Sequence, residues 1–200
     1  ALDYKDAKGA DKRALFTQFE PGDARRMFPG WDEPSYKASY DLALVLPAGL
    51  MPVANTPVKA QATLPAGRIA YSFERTPVMS SYLAFVGAGE FDRIAQKAGK
   101  TEVGVITGRG NAEKARYALD ASVKILPYFE DYFGKPFPMP KLDNVAGPGQ
   151  SQFFSAMENW GAIFSFERVL LLDPALSSEA DRQRIFEVAA HEIAHQWFGN

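Results

Sequence analysis

Both histidines of this 200-residue chain lie four positions apart in one segment, "FEVAAHEIAHQWFGN", with a glutamate directly after the first. On a helix, residues four apart stand one turn above each other on the same face, so His191 and His195 can turn ring nitrogens toward one ion. Glu192 sits one step round that helix, where a carboxylate can take a proton from water that a metal has made acidic. An apolar helix that buries two imidazoles and a carboxylate without partners is costly, so a metal-binding helix is the stronger reading. Catalytic zinc generally keeps three protein ligands and one open position. A third ligand, a carboxylate by preference, is therefore expected from elsewhere.

The remaining composition narrows the partners. There is no cysteine, which removes disulfides, thiolate nucleophiles and sulfur-ligated zinc together and leaves His, Asp and Glu as ligands. A hydrophobic content of 46% with 13% aromatics is ample for a core. The net charge of −2, with both signs interspersed, gives no basic footprint for nucleic acid. No apolar run reaches membrane-spanning length, and the opening "ALDYKDAKGADKR" is polar, without the apolar stretch of a signal peptide or an initiator Met. A piece from within a longer chain is expected.

Residues 14–98 read as short strands broken by proline and glycine. "KASYDLALVL" places Ala38, Tyr40, Leu42, Leu44 and Leu46 on one face, and "RIAYSFER" alternates through Ile69, Tyr71 and Phe73. The apolar run Tyr82 to Val86 predicts a buried strand. "QKAGK" at 96–100 is taken as a boundary, dividing the chain into a mostly antiparallel β domain, 1–98, and a second domain, 99–200. There "EVGVIT" predicts a strand. Asn111 is expected to cap a helix carrying Ala115, Ala118, Leu119, Ser122, Val123 and Leu126, kinked or interrupted at Pro127 and stopped by Gly134. "PYFEDYFGKPFPMP" reads as core and turn aromatics. "KLDNVAGP" predicts a strand and "FFSAMENWGAIFSF" an edge strand beside a cleft. Ser178 with Asp181 makes a capping-box start for the last helix, whose Ile185, Val188, Ala189, Ile193 and Trp197 face a core.

"SAMENWGAI" alone is equally a strand with one exposed glutamate. Here it precedes an HExxH helix, and "TQFEPGDARRMFPGWDEPSYKASYDL" supplies a further carboxylate, Glu20, among turn residues. Together the three segments, in this order, resemble the aminopeptidase N family of zinc metallopeptidases, in the gluzincin group. The likeness covers nearly the whole chain: a β-domain segment, the GxMEN exopeptidase motif and the HExxHxWxGN zinc helix. It implies an α+β fold, with part of an N-terminal β domain followed by the first part of a thermolysin-like catalytic domain.

By that resemblance the activity is zinc-dependent release of N-terminal amino acids from peptides with a free N-terminus. His191 and His195 are implied as ligands of one Zn²⁺ and Glu192 as the general base. Glu158 and Glu20 are implied to grip the substrate's α-ammonium and Gln18 to line the pocket for its first side chain. The backbone at Ser155 and Ala156 would run beside the substrate like an added strand, and Met157 is implied as a further substrate-binding residue. The chemistry agrees, since a pair of buried carboxylates is costly unless a cation joins it, and a peptide N-terminus is one. Two positions depart from the family: Ser155 stands where Gly is usual, and Gly30 where many members have Cys. The family's third zinc ligand, a Glu nineteen positions after the second His, and its transition-state tyrosine would fall beyond Asn200. An epoxide hydrolase of the leukotriene-hydrolase type, or a non-catalytic binding module on the same fold, are alternatives; an epoxide assay and metal analysis, respectively, separate them.

Overall fold

The computed structural model describes residues 1–6 and 8–200. Twelve strands occur among them: β1 Leu2–Lys5, β2 Asp11–Phe16, β3 Ala43–Pro47, β4 Met51–Ala54, β5 Val58–Leu64, β6 Arg68–Phe73, β7 Val86–Gly89, β8 Phe91–Ala98, β9 Thr101–Gly108, β10 Lys141–Gly147, β11 Ala156–Met157 and β12 Ala162–Phe166. Two α-helices accompany them, α1 Arg116–Tyr132 and α2 Glu179–Ala194. The first seven strands form two antiparallel sheets, ordered β1-β2-β7-β4 and β3-β6-β5. The last five form a mixed sheet, β11-β12-β10-β9-β8, in which β9, β10 and β12 run parallel and both edges are antiparallel. The fold is α+β.

Strand alternation divides this mixed sheet between two cores. Val103, Val105, Leu142, Ala146 and Ile163 face α1 and α2, while Ile106, Val145, Ala162, Phe164 and Phe166 face the first antiparallel sheet. All seven residues of β10 are buried, as a strand covered on both faces requires. It nonetheless carries Lys141 and Asp143. Asp143 Oδ1 accepts from Arg93 Nε at 2.8 Å, and Lys141 Nζ lies 3.0 Å from Asp143 Oδ2. Burial pushes the Lys141 ammonium below its ordinary pKa, with Asp143 opposing that shift.

Several expectations differ in detail. Residues 82–86 do not form one strand: Ser81–Leu83 make a 3-10 turn and β7 begins only at Val86, because side chains of the apolar run pack inward from a turn. The strand foreseen from Ala38 begins at Ala43, with Ala38 joined only by a bridge to Met79. Asn111 makes no side-chain cap; a 3-10 turn, Ala112–Ala115, leads into α1 instead. α1 continues through Pro127 to Tyr132, where its buried face, including Ile125 and Leu126, outweighs one lost backbone hydrogen bond. Within "QKAGK", residues 96–98 end β8 and Gly99 with Lys100 make the turn into β9. Gly134, with φ of 62°, does follow the end of α1.

Candidate active site

α2 starts where Ser178 and Asp181 exchange a capping box: Asp181 N–H donates to Ser178 Oγ at 3.3 Å, and Ser178 N–H to Asp181 Oδ2 at 2.7 Å. Ile185, Val188, Ala189 and Ile193 anchor one stripe of the helix in the core. Beyond its end, Trp197 packs among Phe129, Phe133 and Phe137 of the aromatic-rich segment and donates to Lys135 O at 2.8 Å. That fixed stripe leaves His191, Glu192 and the C-capping residue His195 to face β11.

The two imidazoles converge, with Nε2 of His191 3.1 Å from Nε2 of His195. His195 Nδ1 lies 2.9 Å from the Phe198 carbonyl, which can only accept, so Nδ1 carries the proton and Nε2 presents a lone pair. Gly199 lets that carbonyl come close. It has φ of 113°, and a Cβ there would stand 2.6 Å from His195 Nδ1. Two nitrogens bound to one zinc at about 2.0–2.1 Å and near-tetrahedral angles stand about 3.1–3.4 Å apart, so the pair fits that ion.

Glu192 is 6% exposed and its Oε2 has no hydrogen-bond partner. Burial first, then the charges of Glu158 and Glu20, push its carboxyl up to about 8. Potential ligand atoms of Glu158, Glu192 and His195 all lie within 4.8 Å of one another. This tight trio differs from the histidine pair read in the sequence. It reflects a cluster of carboxylates beside the ring of His195, and the convergent Nε2 atoms with a fixed tautomer remain the better metal donors.

Glu158 follows β11, the edge of the mixed sheet, while Met157 is buried beneath it. Ser155 O accepts from Phe166 N–H at 3.0 Å, so ladder alternation turns the backbone N–H and C=O of Ala156 toward the free edge. A groove of about 360 Å³ runs there, lined by Phe154, Ser155, Ala156, Arg184, His191 and Glu192 among others. Glu20 comes from the β-rich half of the chain. Partial burial and the charge of Glu158 raise its pKa, and His195 opposes them, which puts all three within electrostatic reach. Gln18 braces that turn, its Oε1 accepting from Glu20 N–H at 2.6 Å. Of the nine residues singled out in the sequence, Ser155, Ala156, His191 and Glu192 line that groove, Glu158 and His195 bring potential ligand atoms within 4.8 Å of those of Glu192, and Glu20 lies within electrostatic reach of Glu158 and His195. Met157 is buried beneath the strand, and Gln18 is bonded to the Glu20 backbone.

Other residues escaped the sequence reading. Tyr82 donates to Gly199 O at 3.2 Å, and burial, Glu158 and Glu20 together raise its phenol pKa. Asn55, completely buried, donates to Leu83 O and Trp160 O, each at 2.8 Å, and accepts from Phe85 N–H. Gly161, with φ of 74°, packs against Asn55 so closely that a Cβ would stand 2.5 Å from the Asn55 carbonyl. Nothing in the sequence pairs Asn55 with Trp160, 105 positions away.

Known proteins resemble the chain along nearly its whole length. Residues 1–83 match the model described as Peptidase M1 N-terminal domain, and residues 117–200 match Peptidase family M1 domain. The chain is 46% identical over 198 residues to an aminopeptidase N of Acetobacter pasteurianus, covering 99% of this chain and 56% of that protein. It is 43% identical over 194 residues to aminopeptidase M1-B of Oryza sativa subsp. japonica, covering 96% and 22% respectively. A puromycin-sensitive aminopeptidase of Caenorhabditis elegans is 41% identical over 199 residues, 98% of this chain and 21% of its own length. The chain thus spans between about a fifth and somewhat over half of these relatives. With these two family models matched in series along it, the chain belongs to peptidase family M1.

Proposed function

We propose that the protein containing this chain is a zinc aminopeptidase, removing N-terminal residues from peptides. The observation that carries the reading is the 3.1 Å convergence of His191 and His195 beside a buried Glu192, opposite the carboxylates of Glu158 and Glu20. His191 and His195 would hold the metal. When bound, zinc supplies Lewis acidity and positive charge, lowering the pKa of water to about 7 and offsetting the burial and carboxylate repulsion that raise Glu192.

The chain's own residues do the rest. Glu158 and Glu20 hold the substrate's terminal ammonium through charge-assisted hydrogen bonds, which makes the cleft an exopeptidase site. The substrate backbone lies along the free edge of β11 at Ala156, and Gln18 borders the pocket for the first side chain. Glu192 accepts a proton from the attacking water as oxygen adds to the carbonyl carbon, and returns it to the amide nitrogen as the C–N bond breaks. The division into domains 1–98 and 99–200 belongs to the same proposal, with the amine-gripping Glu20 coming from the first and the metal helix from the second.

Glu192→Gln in the full-length protein separates base from ligand. Zinc content is expected to stay at the parent's level while kcat falls by roughly 10²–10⁴, whereas His191→Ala loses both. Loss of zinc together with activity in Glu192→Gln would make Glu192 a structural residue and remove it from the mechanism.

A further inference from the structure

Gln196, 3% exposed, follows the second histidine and uses its whole amide. Its Oε1 accepts from Gly161 N–H at 3.1 Å, and its Nε2 donates to the carbonyls of Glu158 and Glu192, each at 3.2 Å. A flipped amide would set oxygen against two carbonyls and NH₂ against an N–H, so the orientation is unique. One side chain thus ties both ends of the turn 158–161 to the last turn of α2.

The turn's other buried ties run elsewhere. Asn55 holds Trp160 O, Lys141 donates to Gly161 O at 2.8 Å, and Asn159 reaches Leu83 O at 3.4 Å. Asn200 adds a second donor to Glu158 O at 3.2 Å, from beyond the helix. Among these side chains Gln196 alone joins the Glu158 backbone directly to that of Glu192.

We propose that Gln196 is a positioning residue, which sets the Glu158 carboxylate relative to Glu192 and the histidine pair and thereby decides how tightly a substrate's terminal ammonium is held. Charge-assisted hydrogen bonds depend steeply on placement, and a site loosened by about 1 Å loses most of their value. The proposal rests on the reading of Glu158 as the amine anchor.

The test uses the full-length protein with Gln196→Met, which keeps the shape and removes the amide, and Gln196→Asn, which keeps the amide but falls one methylene short. Glu158→Ala is run in parallel. Zinc content, kcat and KM are measured on a free-amine peptide and its N-acetylated twin. Both Gln196 variants are expected to keep zinc and to hold kcat within about threefold, while KM for the free-amine peptide rises roughly 10–100-fold. The free-over-blocked preference should fall toward that of Glu158→Ala. Unchanged KM, equal losses on both peptides, or failure of both variants to fold would overturn the proposal and leave Gln196 a structural residue. If Glu158→Ala erodes the preference and the Gln196 variants do not, only the positioning role fails. If Glu158→Ala leaves the preference intact, the amine-anchor reading fails and takes this proposal with it.

Discussion

Individual residues around the cleft are constrained by backbone approach as much as by chemistry. Gly161 sits at positive φ with the Asn55 carbonyl where a side chain would begin. Gly161→Ala is therefore expected to destabilise the fold by about 2–4 kcal/mol, combining left-handed strain with overpacking, as read by urea unfolding. A change under ~0.5 kcal/mol would show that the turn relaxes freely. The residues that sequence made legible are those whose partners are local. His191, Glu192 and His195 need only a helix to meet, and Glu158 sits in a motif beside a strand edge. Asn55, whose carbonyl acceptors are 28 and 105 residues away, leaves no trace in its own neighbourhood.

Among the elements, α2 was readable from both ends because its start and its buried stripe are written in side chains within one or two turns. Its capping box is exposed to a direct check: Ser178→Ala is expected to cost about 1 kcal/mol. Asp181 adds a pH signature. The Ser178 backbone N–H, then its hydroxyl, hold the Asp181 carboxyl below its ordinary 3.8. A lowered pKa contributes stability that is fully present above the unfolded value and is lost as pH falls through the folded one. The stability gap between parent and Asp181→Asn should hold at neutral pH and shrink as acid takes the solution below 3.8; a gap that persists in strong acid would mean the charge is irrelevant. α1 was less legible at its ends, since Asn111 lacks the geometry of a cap and Pro127 is overruled by the packed face around it. The run 82–86 misled for a related reason, because apolar content reports burial and not backbone conformation.

At the scale of the whole molecule, the mixed sheet joins the two halves, its one face packed on helices and the other on the first β sheet. Its central strand contributes buried Lys141 and Asp143 to an ion cluster completed by partly exposed groups of β8 and β9: Arg93 bonds Asp143 and Glu102, each at 2.8 Å. No periodicity announces this, since β10 reads as an ordinary strand. Asp143→Ala leaves Arg93 and Lys141 without their shared partner and is expected to destabilise by about 3–5 kcal/mol in denaturant unfolding; a neutral outcome would mean water replaces the carboxylate. The same architecture sets Glu20, from the β-rich half, within electrostatic reach of Glu158 and His195, and the proposed exopeptidase selectivity depends on that meeting. The most direct measurement is the ratio of kcat/KM for a free-amine peptide over its N-acetylated twin in the full-length protein. Two charge-assisted contacts of about 1.5–3 kcal/mol each exceed the ~2.7 kcal/mol that a 100-fold ratio requires. A ratio of at least ~100 is expected, and equal cleavage of the two peptides would contradict the amine anchor and make the cleft that of an endopeptidase.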